Sequence, residues 1–378
     1  KSIIDKYLDE TIDINADGEY TERSTGVYNA ICNRFLRIAA DRLDRPDLLE
    51  PVRQNLTLSY HLLHADGSVV TSISTRQDRG QKTIPVGLVD SFYALARQDE
   101  NGFFAACADW LFELNPGGGT WAAHPFLEHP EWRDDDLERE KLPTSYSKVF
   151  PVSGMWRVRR GRASATAAKG IHTPFSLTYG DVELNAVKVC ASYFAVAQFN
   201  ASTMEGDDKG VTLHDLGRGS VHGSPGYYQP IGKPVTLEEW GEVRRSRDHY
   251  ALPAFAVDLK IAEVEGGFDL VAVANAIDKV PFQISFDFVP GGELDLESGA
   301  VQGRAGEIAL LKLGHAIYHV GNDAISIGPG SYGHRMWQMR GSDSAPGLFR
   351  VLLTGVTPID QVIEIRYGMW STATEGIV

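Results

Sequence analysis

Cysteine is scarce in this chain. Cys32, Cys107 and Cys190 are the only three in 378 residues, far apart and each in an apolar context. An odd, sparse set argues against a disulfide framework, and the lack of any Cys-x-x-Cys pair removes a common zinc arrangement. Buried free thiols are expected instead. Long apolar runs are also missing, and no stretch approaches the ~20 residues that a bilayer-spanning helix needs. Positive charge is in deficit: 36 Lys and Arg stand against 50 Asp and Glu, a net charge of −14. That balance disfavours nucleic acid and anionic membrane as partners. Neither His-x-His nor His-Glu-x-x-His occurs, so a catalytic metal is not expected. No cofactor is expected either, and a structural metal stays open. A Gly-x-Ser-x-Gly elbow and a phosphate-binding Gly-x-x-x-x-Gly-Lys loop are both absent. Acid pairs are abundant, which keeps a glycosidase dyad open.

What is present is enough for two domains, given the length and a hydrophobic fraction of 43%. The first residues, KSIIDKYLDETIDIN, read as a short amphipathic helix with Ile3, Ile4, Tyr7 and Leu8 on one stripe. They do not have the order of a signal peptide. The chain starts without Met and inside that helix, so a processed or truncated start is expected. Localisation is open between bacterial cytoplasm and periplasm, and the oligomeric state is unset.

Helical periodicity continues to about Leu114. A second helix is expected from about Thr25 to Leu43, and a third from Pro46 to the Asp66-Gly67 break. Pro85–Arg97 and Gly102–Leu114 fit two more, as stacked helical hairpins. Asn115–Gly119 ends this region, and residues 121–145, rich in Pro, Trp and charge, read as a linker. From Tyr146 the period changes to two. Met155–Arg160, Phe255–Ile261, Phe268–Ala274, Phe282–Phe288 and several later runs alternate between turns, which predicts an antiparallel sandwich. Residues 200–249 read as a long irregular region. The expected fold class is therefore α+β and multidomain: an α-helical part (1–120), a linker (121–145) and a large antiparallel β-sandwich (146–378).

Asp17–Asn33 concentrates polar and aromatic residues where the second helix begins. Ser24 and Thr25 are good N-cap residues. Val27, Ile31 and Phe35 are spaced to pack inward, with Tyr28 and Asn29 beside them. Arg23 lies in the same stretch, and the polar segment Ser72–Gln81 adds Arg76, Asp78 and Arg79. In the sheet region, His172 falls at a break between two strands, and Arg157–Arg162 is basic. The plain reading of these residues is a packed tyrosine and surface ion pairs. The functional reading is a ligand cleft.

Two stretches resemble the heparinase II/III-like polysaccharide lyases. Asp17-Gly18-Glu19-Tyr20-Thr21-Glu22-Arg23-Ser24-Thr25-Gly26-Val27-Tyr28 is similar to the motif that opens the last helices of their toroid. Phe150-Pro151-Val152-Ser153-Gly154, followed by a strand and then Gly170-Ile171-His172, is similar to the opening of their sandwich. The resemblance implies an incomplete α/α toroid followed by a β-sandwich. It also implies β-elimination on an acidic, uronate-containing polysaccharide or oligosaccharide. Tyr28 and His172 match the family's catalytic tyrosine and histidine, and Asn29, Arg23, Arg76 and Arg79 are the substrate-binding candidates. His172 is followed by Thr173-Pro174-Phe175, where a zinc site would bring a second histidine. The family's charge-neutralising Asn or His lies upstream of the tyrosine motif, and Lys1–Asp13 holds none. A fragment of a longer lyase is one expectation. A non-catalytic carbohydrate-binding or structural remnant is the alternative, and a glycoside hydrolase the third.

Overall fold

The computed structural model describes residues 3–117, 120–133, 136–194, 196–218, 224–371, 373 and 376–378. The chain divides into two compact units, Lys1–Thr166 and Ala167–Val378. Unit 1 runs α1 (Ile3–Asp9), α2 (Tyr28–Arg42), α3 (Leu49–His61), α4 (Val89–Gln98), α5 (Gly102–Leu114), α6 (His124–Glu128), β1 (Ser145–Phe150) and β2 (Met155–Arg160). The boundary between units falls inside β3 (Ala163–Ala168).

The unit 1 core forms where the apolar spacing is cleanest. Val52, Leu56 and Tyr60 of α3 are fully buried, as are Phe92 and Leu95 of α4 and Leu111 of α5. Phe92 meets Phe104 edge to face at 5.6 Å. Asn101 caps α5, its side chain accepting from the Phe104 N–H.

α2 departs from its expected packing. Phe35 is 59% exposed, and the inward side carries Asn29, Ala30, Asn33, Arg34, Arg37 and Ala40. The cause is electrostatic. Asp90 on α4 is buried and accepts from Arg34 Nε at 2.8 Å and Arg37 Nη2 at 3.2 Å. A buried carboxylate needs paired donors, so the two guanidiniums turn toward it, and of the apolar stripe Phe35 is left outside while Val27 and Ile31 are half-buried. On α1, Ile3 and Tyr7 are likewise exposed, and the side chains of Ile4 and Leu8 lie outside the described set. Residues 121–145 carry more structure than a linker, with a 3₁₀ turn at Thr120–Ala123, then α6, then a second turn at Pro130–Arg133.

β1 and β2 pack with the helices because of one side chain. Arg157 of β2 is completely buried and donates to the His61 and Leu63 carbonyls just at and beyond the end of α3. Two histidines flank it. Burial, then the charges of Lys148 and Arg157, pushes His61 down to about 4. Burial and Arg157 push His64 down to about 3. Both titrate near 6.5 when unfolded, so between that value and their folded values the unfolded chain binds more protons. Their contribution is intact above pH 6.5 and is lost as the pH falls toward 4. Denaturant titrations should show unit 1 losing about 4 kcal/mol between pH 7 and pH 5, about 2 from each histidine, a loss that His64→Gln roughly halves. A flat profile over that range would contradict the assignment.

Unit 2 is strand-rich. It continues with β4 (Phe175–Tyr179), β5 (Val182–Tyr193), β6 (Val196–Gln198), β7 (Thr203–Asp207), β8 (Gly210–Asp215), β9 (Gly226–Tyr228), α7 (Leu237–Val243) and β10 (His249–Ala251). β11 (Val257–Val264), β12 (Gly267–Ala274), β13 (Pro281–Phe288), β14 (Glu293–Leu296), β15 (Gly299–Gln302) and β16 (Ile308–Leu310) follow. The chain ends with β17 (Ala316–Val320), β18 (Asp323–Gly328), β19 (Phe349–Val356), β20 (Ile359–Ser371) and β21 (Gly376–Ile377). Within this unit one layer has the order β4-β5-β13-β19-β16, and the other β15-β14-β17-β18-β20-β12-β11-β8-β7. Among the described strand pairings of this unit β16 on β19 is parallel and the others are antiparallel, with one further parallel bridge between Tyr332 and Thr354. Alternate residues point into the sandwich, such as Leu259 and Ile261 of β11 and Phe268 and Leu270 of β12, all buried. Rings join the layers: Phe175 of β4 meets Phe268 of β12 at 5.2 Å, and Tyr318 of β17 meets Phe288 of β13 at 4.5 Å. The expected class, helices first and a large sandwich after, is the observed one. The region from 200 to 249, expected to be irregular, instead holds strands β7 to β9 and α7, where Gly206 and Gly210 let neighbouring backbones close up.

Candidate functional site

The segment before α2 is held by two layers of polar contacts. In the inner layer Tyr20 is buried and donates to Asn33 at 2.8 Å. Asn33 donates to Asn55 at 2.8 Å, and Asn55 to the Gly18 carbonyl at 2.9 Å. Gly18 has φ +89°, and a Cβ there would stand 2.4 Å from the Gln54 carbonyl oxygen, so only glycine fits. Burial raises the Tyr20 hydroxyl well above its ordinary value. This tyrosine is a strut.

Asp78 organises the second layer. It is buried and accepts from the Ser24 hydroxyl at 3.0 Å, the Gly26 N–H at 2.9 Å and the Ser74 hydroxyl at 2.9 Å. Thr25 donates to the Val70 carbonyl, and Thr75 N–H and hydroxyl donate to the Arg23 and Glu22 carbonyls. The loop carrying Arg76 to Arg79 is thereby stitched to the start of α2. Ser24 and Thr25 are not the N-cap: the helix begins at Tyr28 with Val27 at the cap position and no side-chain cap bond, and the Ser24 hydroxyl accepts from the Tyr28 N–H at 3.1 Å from the turn before it.

On this support stands a partly exposed polar cluster. Gln77 Nε2 donates to the Tyr28 hydroxyl at 3.4 Å. The Arg76 guanidinium lies 5.1 Å from the Tyr28 ring centroid and 3.6 Å from Glu22. The Gln77 hydrogen bond first, and then the bonding and charge of Arg76, lower the Tyr28 hydroxyl below its ordinary value. Gln77 was not singled out in the sequence, because a lone glutamine in a polar loop gives no pattern. Arg79 is exposed in the same loop.

The other predicted site residues are placed differently. Arg23, at φ +45°, pairs with buried Glu19 at 2.9 Å and reaches the Ser153 carbonyl at 3.4 Å. Asn29 is only 3% exposed, on the inward side of α2. Arg157 is internal, as described above, and is not available to a ligand carboxylate. In unit 2, His172 lies between β3 and β4 as expected, with Nδ1 3.1 Å from Asp343. Asp343 is itself positioned by Gln198, which accepts from the Asp343 N–H. Asp215, raised by burial and tempered by two backbone N–H bonds and the charge of His172, completes this group. His222 lies outside the described residues.

Among the described residues, Glu293, Asp295 and His319 bring three potential metal-ligand atoms within 4.8 Å of one another. They sit on neighbouring strands β14 and β17, so no short sequence spacing announces them. His319 already pairs with Asp295 at 3.1 Å and stacks on Trp370 at 4.6 Å. No helix among the described residues is long and apolar enough to cross a membrane.

No family model and no curated protein matches this sequence. Its fold is similar to a solved structure, a mutant of the heparan sulfate lyase HepC from Pedobacter heparinus. The TM-score is 0.52 at 8% identity, over 96% of this chain and 55% of that one. This chain thus spans about half the length of that lyase chain. At this identity the likeness shows a shared fold, a distant structural relation to a polysaccharide lyase. A 4-alpha-glucanotransferase from Thermococcus litoralis aligns with a TM-score of 0.31 at 10% identity, over 90% of this chain and 57% of that one. That value carries no structural argument.

Proposed function

We propose that this chain is a polysaccharide lyase of the heparinase II/III-like kind, or the larger part of one, acting on an acidic, uronate-containing glycan. The observation that carries the reading is the Tyr28 hydroxyl, partly exposed and lowered by Gln77 and Arg76, on a fold shared with a heparan sulfate lyase. β-Elimination breaks the C5–H and C4–O bonds of the uronate and forms the C4–C5 double bond. Tyr28, as the phenolate, takes the C5 proton and, as the phenol so formed, returns it to the departing O4. Arg76 and Arg79 hold the uronate carboxylate, whose charge must be offset before C5 becomes acidic. The reading gives His172, oriented through Asp343, a share in proton transfer.

The test is new ultraviolet absorbance from an unsaturated uronate across a panel of acidic polysaccharides. Silence with all of them would sink the lyase reading. The pH profile is a sharper readout. If Tyr28 is the base, kcat/KM rises with pH through an inflection below the ordinary tyrosine value of about 10. Arg76→Met removes a lowering influence on that hydroxyl, so the inflection moves upward. An inflection that stays in place would separate Arg76 from the chemistry.

A second reading, glycan binding without cleavage, is favoured by the burial of Asn29 and the engagement of Arg23 by Glu19. Those contacts leave fewer groups to neutralise a carboxylate. Retention on an acidic polysaccharide with no absorbance change would select it.

A further inference from the structure

We propose that Glu293, Asp295 and His319 form a binding site for a divalent transition-metal ion, zinc foremost, on the outer face of one sheet of unit 2. Leu294 and Tyr318 are fully buried in the sandwich. Strand alternation therefore sends their neighbours Glu293, Asp295 and His319 to the opposite face. Glu293 stands directly across from His319 on the adjoining strand, and Asp295 is two positions further along β14. One ligand atom from each residue lies within 4.8 Å of the other two. His319 Nε2 is 3.1 Å from Asp295 Oδ2 and 4.0 Å from Glu293 Oε1. Nitrogen and oxygen ligands of a tetrahedral zinc, each about 2.0–2.2 Å from the ion, are about 3.3–3.6 Å from one another. The two measured spacings bracket that range.

Two observations go beyond proximity. The first is how His319 meets Asp295. Asp295 Oδ2 is buried and accepts no hydrogen bond, although His319 Nε2 is only 3.1 Å away. The ring nitrogen is near enough to donate and is not aimed to do so. A buried carboxylate oxygen without a donor is costly, whereas lone pairs directed at a shared point are what a cation requires. The second observation is the support around the ligands. Trp370 stacks on the His319 ring at 4.6 Å with an interplanar angle of 7°, which fixes the plane of the imidazole. Gln302 of β15 lies directly across from Glu293 and donates to its Oε2, leaving Oε1 as the oxygen nearer His319. Outer contacts of this kind orient metal ligands. The donor set selects the ion. Imidazole suits zinc and its transition-metal neighbours, while calcium and magnesium take oxygen ligands. Two carboxylates and a neutral imidazole balance two positive charges, and a fourth tetrahedral position goes to water. The ion joins the β14–β15 hairpin, at the edge of its sheet, to β17. His172 precedes β4 of the other layer, so the site is separate from the chemistry proposed above and does not rest on it.

The experiment strips the full chain with a chelator, removes the chelator, and titrates zinc chloride by calorimetry, with metal content measured after gel filtration. One tightly bound zinc per chain is expected. At zinc about 100-fold above the Kd the melting temperature should rise by about 5 °C or more. The double variant Glu293→Gln, Asp295→Asn keeps both side-chain shapes and should bind zinc about 100-fold or more weakly. Gln302→Ala, which acts only through Glu293, should weaken binding about tenfold. His172→Ala should bind like the wild type, which separates this site from the group around His172. Four results would overturn the proposal. These are no zinc retained by the wild type, unchanged affinity in the double variant, loss of the tight zinc in His172→Ala, and tighter binding of calcium or magnesium than of zinc. If the double variant does not fold, Gln302→Ala decides, and an unchanged affinity there counts against the site.

Discussion

Arg157→Ala is expected to destabilise unit 1 by about 3–5 kcal/mol, the range seen when one partner of a buried charged network is removed. The side chain is completely buried. Its guanidinium donates to the carbonyls of His61 (2.9 Å), Leu63 (3.2 Å) and Ala165 (2.8 Å) and to the hydroxyls of Thr166 (2.6 Å) and Ser164 (2.8 Å). None of these partners is a carboxylate. The charge is stabilised by dipoles, chiefly the negative end of α3, whose last carbonyls have no intrahelical donor. Burial pulls the group down only to about 10, so it stays protonated at neutral pH. Alanine would leave a cavity and several buried acceptors without donors, each costing about 1–3 kcal/mol before relaxation. Lysine should recover less than half of the loss, because an ammonium cannot reproduce the planar fork that serves both strands and helix. Equilibrium urea melts of the wild type, Arg157→Ala and Arg157→Lys measure this directly. A loss below about 1 kcal/mol in the alanine variant would mean that the helix end is satisfied in some other way.

Arg157 also shows where the sequence stops being legible. The alternation around it correctly indicates a strand, and the same reading places Phe268–Ala274 to within one residue and Gly102–Leu114 as observed. Those elements are written in apolar periodicity, which local sequence carries. Which arginines face a ligand and which face the interior is decided by partners far along the chain. Arg34 and Arg37 answer to Asp90, and Arg157 to the end of α3. Pairings of that kind invert the packing of α2, so Phe35 ends outside and Asn33 inside. The tyrosines divide in the same way. Both precede or open one helix, yet Tyr20 meets Asn33 in a buried network while Tyr28 meets Gln77 and Arg76 at the surface.

That division sets up the most discriminating enzymatic result. Tyr28→Phe is expected to lower kcat by about 10²–10⁴-fold, the usual worth of a positioned acid–base group, with KM little changed. Stability should stay within about 0.5 kcal/mol of the wild type. The reasoning is local. The phenyl ring is kept, so the Arg76 guanidinium retains its face, and the hydroxyl lost is one that Gln77 touches only at 3.4 Å. Tyr20→Phe should do the reverse. It removes the donor that satisfies Asn33 in the interior, costing about 1–3 kcal/mol of stability, and its effect on turnover should disappear at temperatures where the variant is fully folded. The pair of variants therefore separates chemistry from scaffold using the same atom deletion ten residues or fewer apart. Full activity in Tyr28→Phe would remove the tyrosine from the mechanism, and the elimination would then need another base. Such a result would leave Arg76 and Gln77 as the companions of a merely structural ring.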